Sequence, residues 1–135
     1  MLSPKKTNYR KYRKGMIRGV ECRATSLAYG VYGLQALESG RITAKQLETI
    51  RLSVVRKLKK LGNVWFRIFP DIPVTSKPTE VRMGKGKGAV DYWCARVRAG
   101  RVLIELDGIS VEFASEILHT VSAKLPISTR FISLV

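Results

Sequence analysis

Residues 80–93 read EVRMGKGKGAVDYW. Gly84, Gly86 and Gly88 alternate with Lys85 and Lys87. Arg82 precedes them, and Tyr92 and Trp93 follow. Glycines remove side-chain bulk and leave backbone N–H groups open to an anion, and the lysines add charge. The pattern is that of a phosphate-binding loop. Nucleotide-binding loops have other spacings. A Walker A loop needs GxxxxGK followed by Ser or Thr, whereas Lys87 is followed by Gly88. The dinucleotide fingerprint GxGxxG opens a helix, whereas this GxGxG run leads into the strand-like AVDYWCARV. The phosphate that remains is that of a nucleic-acid backbone.

No other constellation supports catalysis. Glu105 and Asp107 stand two apart at a strand end, without a second acidic pair or a base to work with them. His119 falls inside a helical pattern and reads as an ordinary helix residue. Cys22 and Cys94 lie far apart without CxxC partners, so no zinc cluster can be assembled with the single histidine. They are compatible with one disulfide and require none. No active site, cofactor or metal is expected.

The charge points the same way. Lys and Arg number 25 against 10 Asp and Glu, a net charge of +15 with a pI near 10.4. Residues 1–101 hold 23 basic and 6 acidic side chains; residues 102–135 hold 2 and 4. A solubilising coat would be spread evenly, so the polarity marks a face for a polyanion. No apolar run approaches a membrane span, and MLSPKKTNYRKYRKGMIRG lacks the apolar stretch of a secretory signal. That opening is basic and acid-poor, as mitochondrial presequences are, but Pro4, Gly15 and the missing apolar stripe argue against a targeting helix.

The elements around the loop follow from periodicity. Residues 1–24 form a basic arm in which Lys5, Lys6, Arg10, Lys11, Arg13, Lys14, Arg18 and Arg23 sit among Tyr9 and Tyr12. With no helical or strand period, the arm should order mainly against a partner. Interleaved tyrosines favour RNA over a plain solubilising tail. Residues 25–135 form one α+β domain, with the loop protruding at about 76–90. TSLAYGVYGLQ reads as a short strand. A helix follows, capped by Thr43 with Gln46, with Leu47, Ile50, Val54, Leu58 and Leu61 inward and Gly62 suited to close it. Its late cations, Arg56, Lys57, Lys59 and Lys60, complement the helix dipole but exceed what it needs, which points to RNA contact by Arg56, Lys59 and Lys60. NVWFRIF is a strand with Val64, Phe66 and Ile68 inward. PDIPVTSKP, with three prolines, is an extended loop. AVDYWCARV and RVLIELD read as an antiparallel hairpin across Ala99 and Gly100. Ser110 caps a second helix with Phe113, Ile117, Leu118, Val121 and Leu125 inward, and STRFISLV is a final strand. The sum is two helices on a mostly antiparallel sheet.

These residues also carry a family likeness. RMGKGKG followed by Trp93, the opening MLSPKKTNYRKYRKG, the helix GRITAKQLETIR, the segment VWFRIFPDIPVTSKPTEVRMGKGKG and the ending LPISTRF resemble, in order and over essentially the whole chain, bacterial-type large-subunit ribosomal protein sixteen. That family is the counterpart of the archaeal and eukaryotic ten-e protein. The resemblance implies a structural RNA-binding protein of the large ribosomal subunit, packed on the large rRNA near the aminoacyl-tRNA site and joining late in assembly. It implies that Arg82, Met83, Gly84, Lys85, Gly86, Lys87 and Gly88 lie near tRNA and functional rRNA, and that the arm threads among rRNA helices. It further implies neighbouring ribosomal proteins as partners, no membrane and no independent homo-oligomer. Arg82 occupies the position hydroxylated in some bacterial members. The usual GRG before the first helix is here ESGR, with Glu38 acidic, so no RNA contact is assigned to that turn.

The chain opens where mature family members open, so no presequence is expected. DIPVTSKP looks more like plant and algal mitochondrial versions than the DKP of bacterial and plastid ones. The expected compartment is the mitochondrial matrix, with plastid or bacterial cytoplasm as alternatives. The competing function is a free-standing RNA-binding assembly or translation factor. A nucleotide-dependent enzyme using the glycine loop is a more distant third.

Overall fold

The computed structural model describes residues 2–134. Seven strands and two helices follow in the order β1 (Tyr32–Ala36), β2 (Gly40–Thr43), α1 (Ala44–Leu58), β3 (Asn63–Phe66), β4 (Ile72–Ser76), β5 (Ala89–Val97), β6 (Val102–Asp107), α2 (Val111–Ser122) and β7 (Thr129–Ser133). The α+β class agrees with the sequence, but the strands form two sheets rather than one. The first has the order β3-β6-β1-β7 and the second β2-β5-β4, and the named pairings are antiparallel. Helix α1 packs on β2 and β5, α2 packs on β1 and β7, and the helices touch each other.

Both helices begin where their caps predict. The Thr43 N–H donates to Gln46 Oε1 at 2.9 Å and the Gln46 N–H returns to Thr43 Oγ1 at 3.3 Å, and Ser110 accepts from the Phe113 N–H. Leu47, Ile50, Val54 and Leu58 are buried with Ile117, Leu118 and Val121 in one core, joined by Leu34, Ile42, Val97, Leu103, Ile104 and Leu106. Phe66, Phe113 and Leu125 pack against it half-buried. The end of α1 departs from the expected pattern. The helix stops at Leu58, and Lys59 is the left-handed cap at φ 46°, with Lys60 following at φ 69°. The chain has already turned away, so Leu61 is 69% exposed and leaves the stripe. Gly62 serves close approach instead: a Cβ there would stand 2.6 Å from the Asp107 carbonyl oxygen.

Three further readings are corrected. PDIPVTSKP is not all loop. Its residues 72–76 form β4, paired to β5 with Pro73 opposite Trp93. A proline is tolerated there because β4 is an edge strand whose outer side needs no donor. GRIT, taken as the approach to α1, is strand β2. β5 and β6 make no hairpin. β5 lies between β2 and β4, while β6 lies between β1 and β3. The link between them is held elsewhere: the Gly100 N–H donates to Ala36 O at 2.7 Å, and the Glu21 N–H donates to Ala99 O at 2.9 Å. Residues Val102 to Leu106 are all buried, and burial on both faces calls for the centre of a sheet rather than a two-stranded ribbon.

One of those buried β6 residues is charged. Glu105 has 0% exposure. Its carboxylate accepts from the N–H groups of Ala28, Tyr29 and Gly30 at 3.1, 2.7 and 2.8 Å and pairs with Arg67 Nη1 at 2.7 Å. Burial pushes the carboxyl up, but those three N–H groups and the guanidinium outweigh it and hold the group below its ordinary range. The stability this gives is present above the ordinary carboxylate range and is lost as pH falls through the lowered value. Glu105→Gln should therefore cost about 3 kcal/mol at neutral pH, by leaving Arg67 and the N–H groups mismatched. Its denaturation midpoint should also fall less steeply on acidification than wild type, as a urea series from neutral to acid pH would show. Val54→Asp, at a 0% exposed core site, should abolish the cooperative melt; a wild-type melting temperature would contradict the assigned phase of α1.

Candidate nucleic-acid interface

The glycine–lysine loop leaves β4 and returns into β5. Gly84, Lys85 and Gly86 turn in succession through positive φ, at 102°, 54° and 94°. A Cβ on Gly84 or Gly86 would meet nothing within 4 Å, so the glycines are there for backbone conformation and open access. Gly88 serves the fold instead. A Cβ there would overlap the Ser76 carbonyl, so its absence lets the base of the loop close onto β4. Lys77 donates to the Gly84 carbonyl and shapes the turn. Arg82, Met83, Lys85 and Lys87 are exposed, Met83 completely.

The loop and the arm meet. Lys87 Nζ donates to the Tyr12 carbonyl, and Lys11 Nζ donates to the Lys87 carbonyl at 2.9 Å. Arg96 on β5 donates to the carbonyls of Arg13 and Lys14 at 3.0 and 2.8 Å, and Arg41 on β2 donates to those of Lys14 and Gly15 at 2.8 and 2.9 Å. The arm thus lies along the second sheet, although it was expected to order mainly on a partner. It is fixed mainly through its carbonyls, with Lys11 adding a bond to the loop and Glu21 a salt bridge to Arg101. Among the described residues, the side chains of Lys5, Lys6, Arg10, Arg13 and Lys14 make no hydrogen bond or ion pair and are exposed. Arg18 is also exposed and touches only the Met16 sulfur, at 3.5 Å. Arg82 and Lys85 are equally unpaired in the loop among the described residues, whereas Lys87 is committed to the arm.

Arg56, Lys59 and Lys60 project from the end of α1, exposed and unpaired, with no bond to the arm or loop among the described residues. Their neighbour Lys57 is spent within the fold: it reaches Glu116 Oε1 and Thr120 Oγ1 on α2, both at 2.9 Å. Arg51 pairs with Glu48 at 2.5 Å. Cys22 and Cys94 are both free, the first exposed and the second buried, so the disulfide left open by the sequence is not formed. Burial raises the Cys94 thiol above its usual range, against the pull of Arg41 and Arg96.

Sequence reasoning missed the residues that fix the arm. Arg41 and Arg96 stand opposite each other in the β2–β5 register, a pairing invisible while GRIT was read as helix approach. It also set Glu105 aside as a stray carboxylate. Its partner Arg67 lies just past β3, and the pairing of Trp65 with Glu105 across β3 and β6 is what brings the two together.

Comparison with known proteins matches the sequence to a family model described as ribosomal protein L16p/L10e, over residues 4–132. Large ribosomal subunit protein uL16 of Bartonella henselae is 60% identical over 132 residues, covering 98% of this chain and 96% of that protein. The uL16 proteins of Azorhizobium caulinodans and Mesorhizobium japonicum are each 56% identical over the same shares. These relatives are bacterial, so the mitochondrial compartment expected from DIPVTSKP finds no support in them, and the bacterial cytoplasm fits better. With the family model spanning nearly every residue, and the glycine–lysine loop and basic arm brought together on one sheet, the chain belongs to the ribosomal protein L16p/L10e family.

Proposed function

We infer that this protein is a structural constituent of the large ribosomal subunit, as its uL16 relatives are named. In it the arm and the end of α1 hold large-subunit rRNA, and the glycine–lysine loop reaches toward aminoacyl-site tRNA. Neighbouring ribosomal proteins complete its surroundings. Its role is to position RNA rather than to catalyse, and the bacterial cytoplasm is the compartment we assign.

The observation that carries this reading is the division of labour among the cations. Arg41 and Arg96 of the second sheet and Lys87 of the loop are turned inward onto arm carbonyls, while Lys5, Lys6, Arg10, Arg13 and Lys14 of the arm and Arg82 and Lys85 of the loop are left outward and unpaired among the described residues. A basic protein that served only its own solubility would have no reason to organise a like-charged arm against a like-charged sheet. A phosphate backbone relieves the repulsion and takes the free donors.

Three outcomes follow. The isolated chain should bind rRNA fragments with an affinity that falls about 10³–10⁵-fold between roughly 50 and 200 mM salt, if six to ten cations meet phosphate; a flat dependence would overturn the electrostatic reading. The two loop lysines should separate. Lys85→Ala should lower the salt slope by about one and leave the arm as it was. Lys87→Ala should speed tryptic cleavage at Lys11 and Arg13, because it removes the bond to the Tyr12 carbonyl between them and loosens that part of the arm. Identical cleavage rates in both variants would contradict the clasp. Gly86→Val should still fold as free protein, since nothing packs on that position and the exposed loop can shift to relieve the strain at little cost in melting temperature. It should nevertheless fail in late incorporation into the large subunit or in aminoacyl-tRNA binding, because a branched residue is strained at φ 94° and blocks close approach. Gradient profiles and a tRNA-binding assay read this out. Recovery of the wild-type chain free of subunits after a high-salt wash would instead favour a free-standing RNA-binding factor.

A further inference from the structure

One aromatic surface lies outside the arm, the loop and the end of α1. Tyr29 is 64% exposed, yet its ring is held. It stacks on Trp65 with centroids 6.1 Å apart and planes 23° apart, and the Arg67 guanidinium carbon sits 5.7 Å from its centre. Its backbone N–H donates to the buried Glu105 carboxylate at 2.7 Å, and Arg67 Nη1 binds the nearby Ser26 carbonyl at 2.7 Å. The ring is held by these contacts while most of its surface stays open to solvent.

Tyr29 and Trp65 line a depression of about 980 Å³, together with Arg51, Arg96 and Arg101. A second depression of about 500 Å³ is lined by Lys6 and Arg13 of the arm, and it shares Asp71, Ile72 and Arg96 with the first. The two depressions therefore adjoin, with the exposed acid Asp71 at their junction, and place the arm and the ring pair along one stretch of surface. Charge is divided along it. At the aromatic end Arg51, Arg67 and Arg101 are already paired with Glu48, Glu105 and Glu21. At the arm end Lys6 and Arg13 have unpaired side chains among the described residues.

We propose that this surface seats a single-stranded segment of RNA, with an unpaired base stacked on Tyr29 and the flanking phosphates held by Lys6 and Arg13. The proposal rests on the RNA-binding reading above and adds a site that neither the loop nor α1 supplies. A neutral stacking platform beside a cationic track is the arrangement that single-strand binding surfaces use. A double helix hides its base faces, so the platform selects unpaired nucleotides.

The test compares wild type, Tyr29→Ala and Tyr29→Phe in binding a labelled oligouridylate of about eight nucleotides and an RNA duplex of equal length. Tyr29→Ala should fold, because it is the Tyr29 backbone that serves Glu105. If it melts early, Tyr29→Leu keeps apolar packing on Trp65 without the flat ring and takes its place. Tyr29→Ala should weaken single-strand binding roughly five- to hundredfold with an unchanged salt slope. Tyr29→Phe should match wild type, and all three should bind the duplex alike. Wild-type single-strand affinity in Tyr29→Ala, or an equal loss on the duplex, would overturn the platform. So would unchanged RNA binding combined with loss of a neighbouring protein from subunits assembled with Tyr29→Ala, because the occupant would then be protein. If wild type itself bound neither RNA in a salt-dependent way, the broader RNA-binding reading would fall, a result distinct from failure of the platform alone.

Discussion

The Glu105 carboxylate has no access to water, and it is met by three backbone N–H groups from residues 28–30 and by the Arg67 guanidinium. A buried charge left without partners costs several kcal/mol, so the pieces that supply those partners have to arrive together. The segment before β1 must curl until its N–H groups converge. The chain leaving β3 must carry Arg67 over β6. β6 itself must be central, with one face toward the helices and the other toward the curl. Much of the first sheet can be seen as the frame for this one anion. The same constraint holds Tyr29 and Trp65 against each other on the outside of the frame.

The arm poses the opposite electrostatic problem. Residues 1–24 carry eight cations and one acid, Glu21, and the sheet beneath is itself basic. With one acid among eight cations, salt bridges cannot fasten most of such an arm. The structure uses its neutral acceptors instead: carbonyls of residues 12–15 receive Arg41, Arg96 and Lys87. Each of those bonds is charge-assisted, and none consumes an arm side chain. Arg41, Arg96 and Lys87 are satisfied, while most of the arm's cations, Lys11 apart, remain available, so the protein is prepared for a polyanion before one is present. Glu21 marks the far end, where it pairs with Arg101 at 3.1 Å and joins the arm to the link between the sheets.

The glycine–lysine loop divides its residues in the same manner. Gly88 and Lys77 belong to the protein, closing and shaping the loop. Gly84, Lys85 and Gly86 face open space with a backbone turned through positive φ. Lys87 belongs to both sides, since its carbonyl and its amine each contact the arm. Arm and loop thus present one surface on the second sheet, while α1 offers a separate cationic end whose left-handed cap at Lys59 and Lys60 aims two unpaired amines away from the core.

The sequence by itself determined whatever rests on local chemistry or on chain-wide composition. Caps at Thr43 and Ser110, the buried stripe of Leu47, Ile50, Val54 and Leu58, the glycine loop and the basic polarity are all set by residues close together or by simple sums, and the family resemblance extends over the whole chain. What only the tertiary structure decided depends on partners distant in the chain. Whether AVDYWCARV and RVLIELD pair is not written in either; each found better-buried neighbours in a different sheet. The prolines of PDIPVTSKP exclude a central strand but not an edge one, and edge or centre is a property of the sheet. Lys85 and Lys87 are alike as letters, yet one is free and the other committed, because Tyr12 happens to lie within reach of the second. Glu105 looked like a stray acid for the same reason: the four groups that make its charge tolerable come from residues 38 to 77 positions away, and only folding brings them to one point.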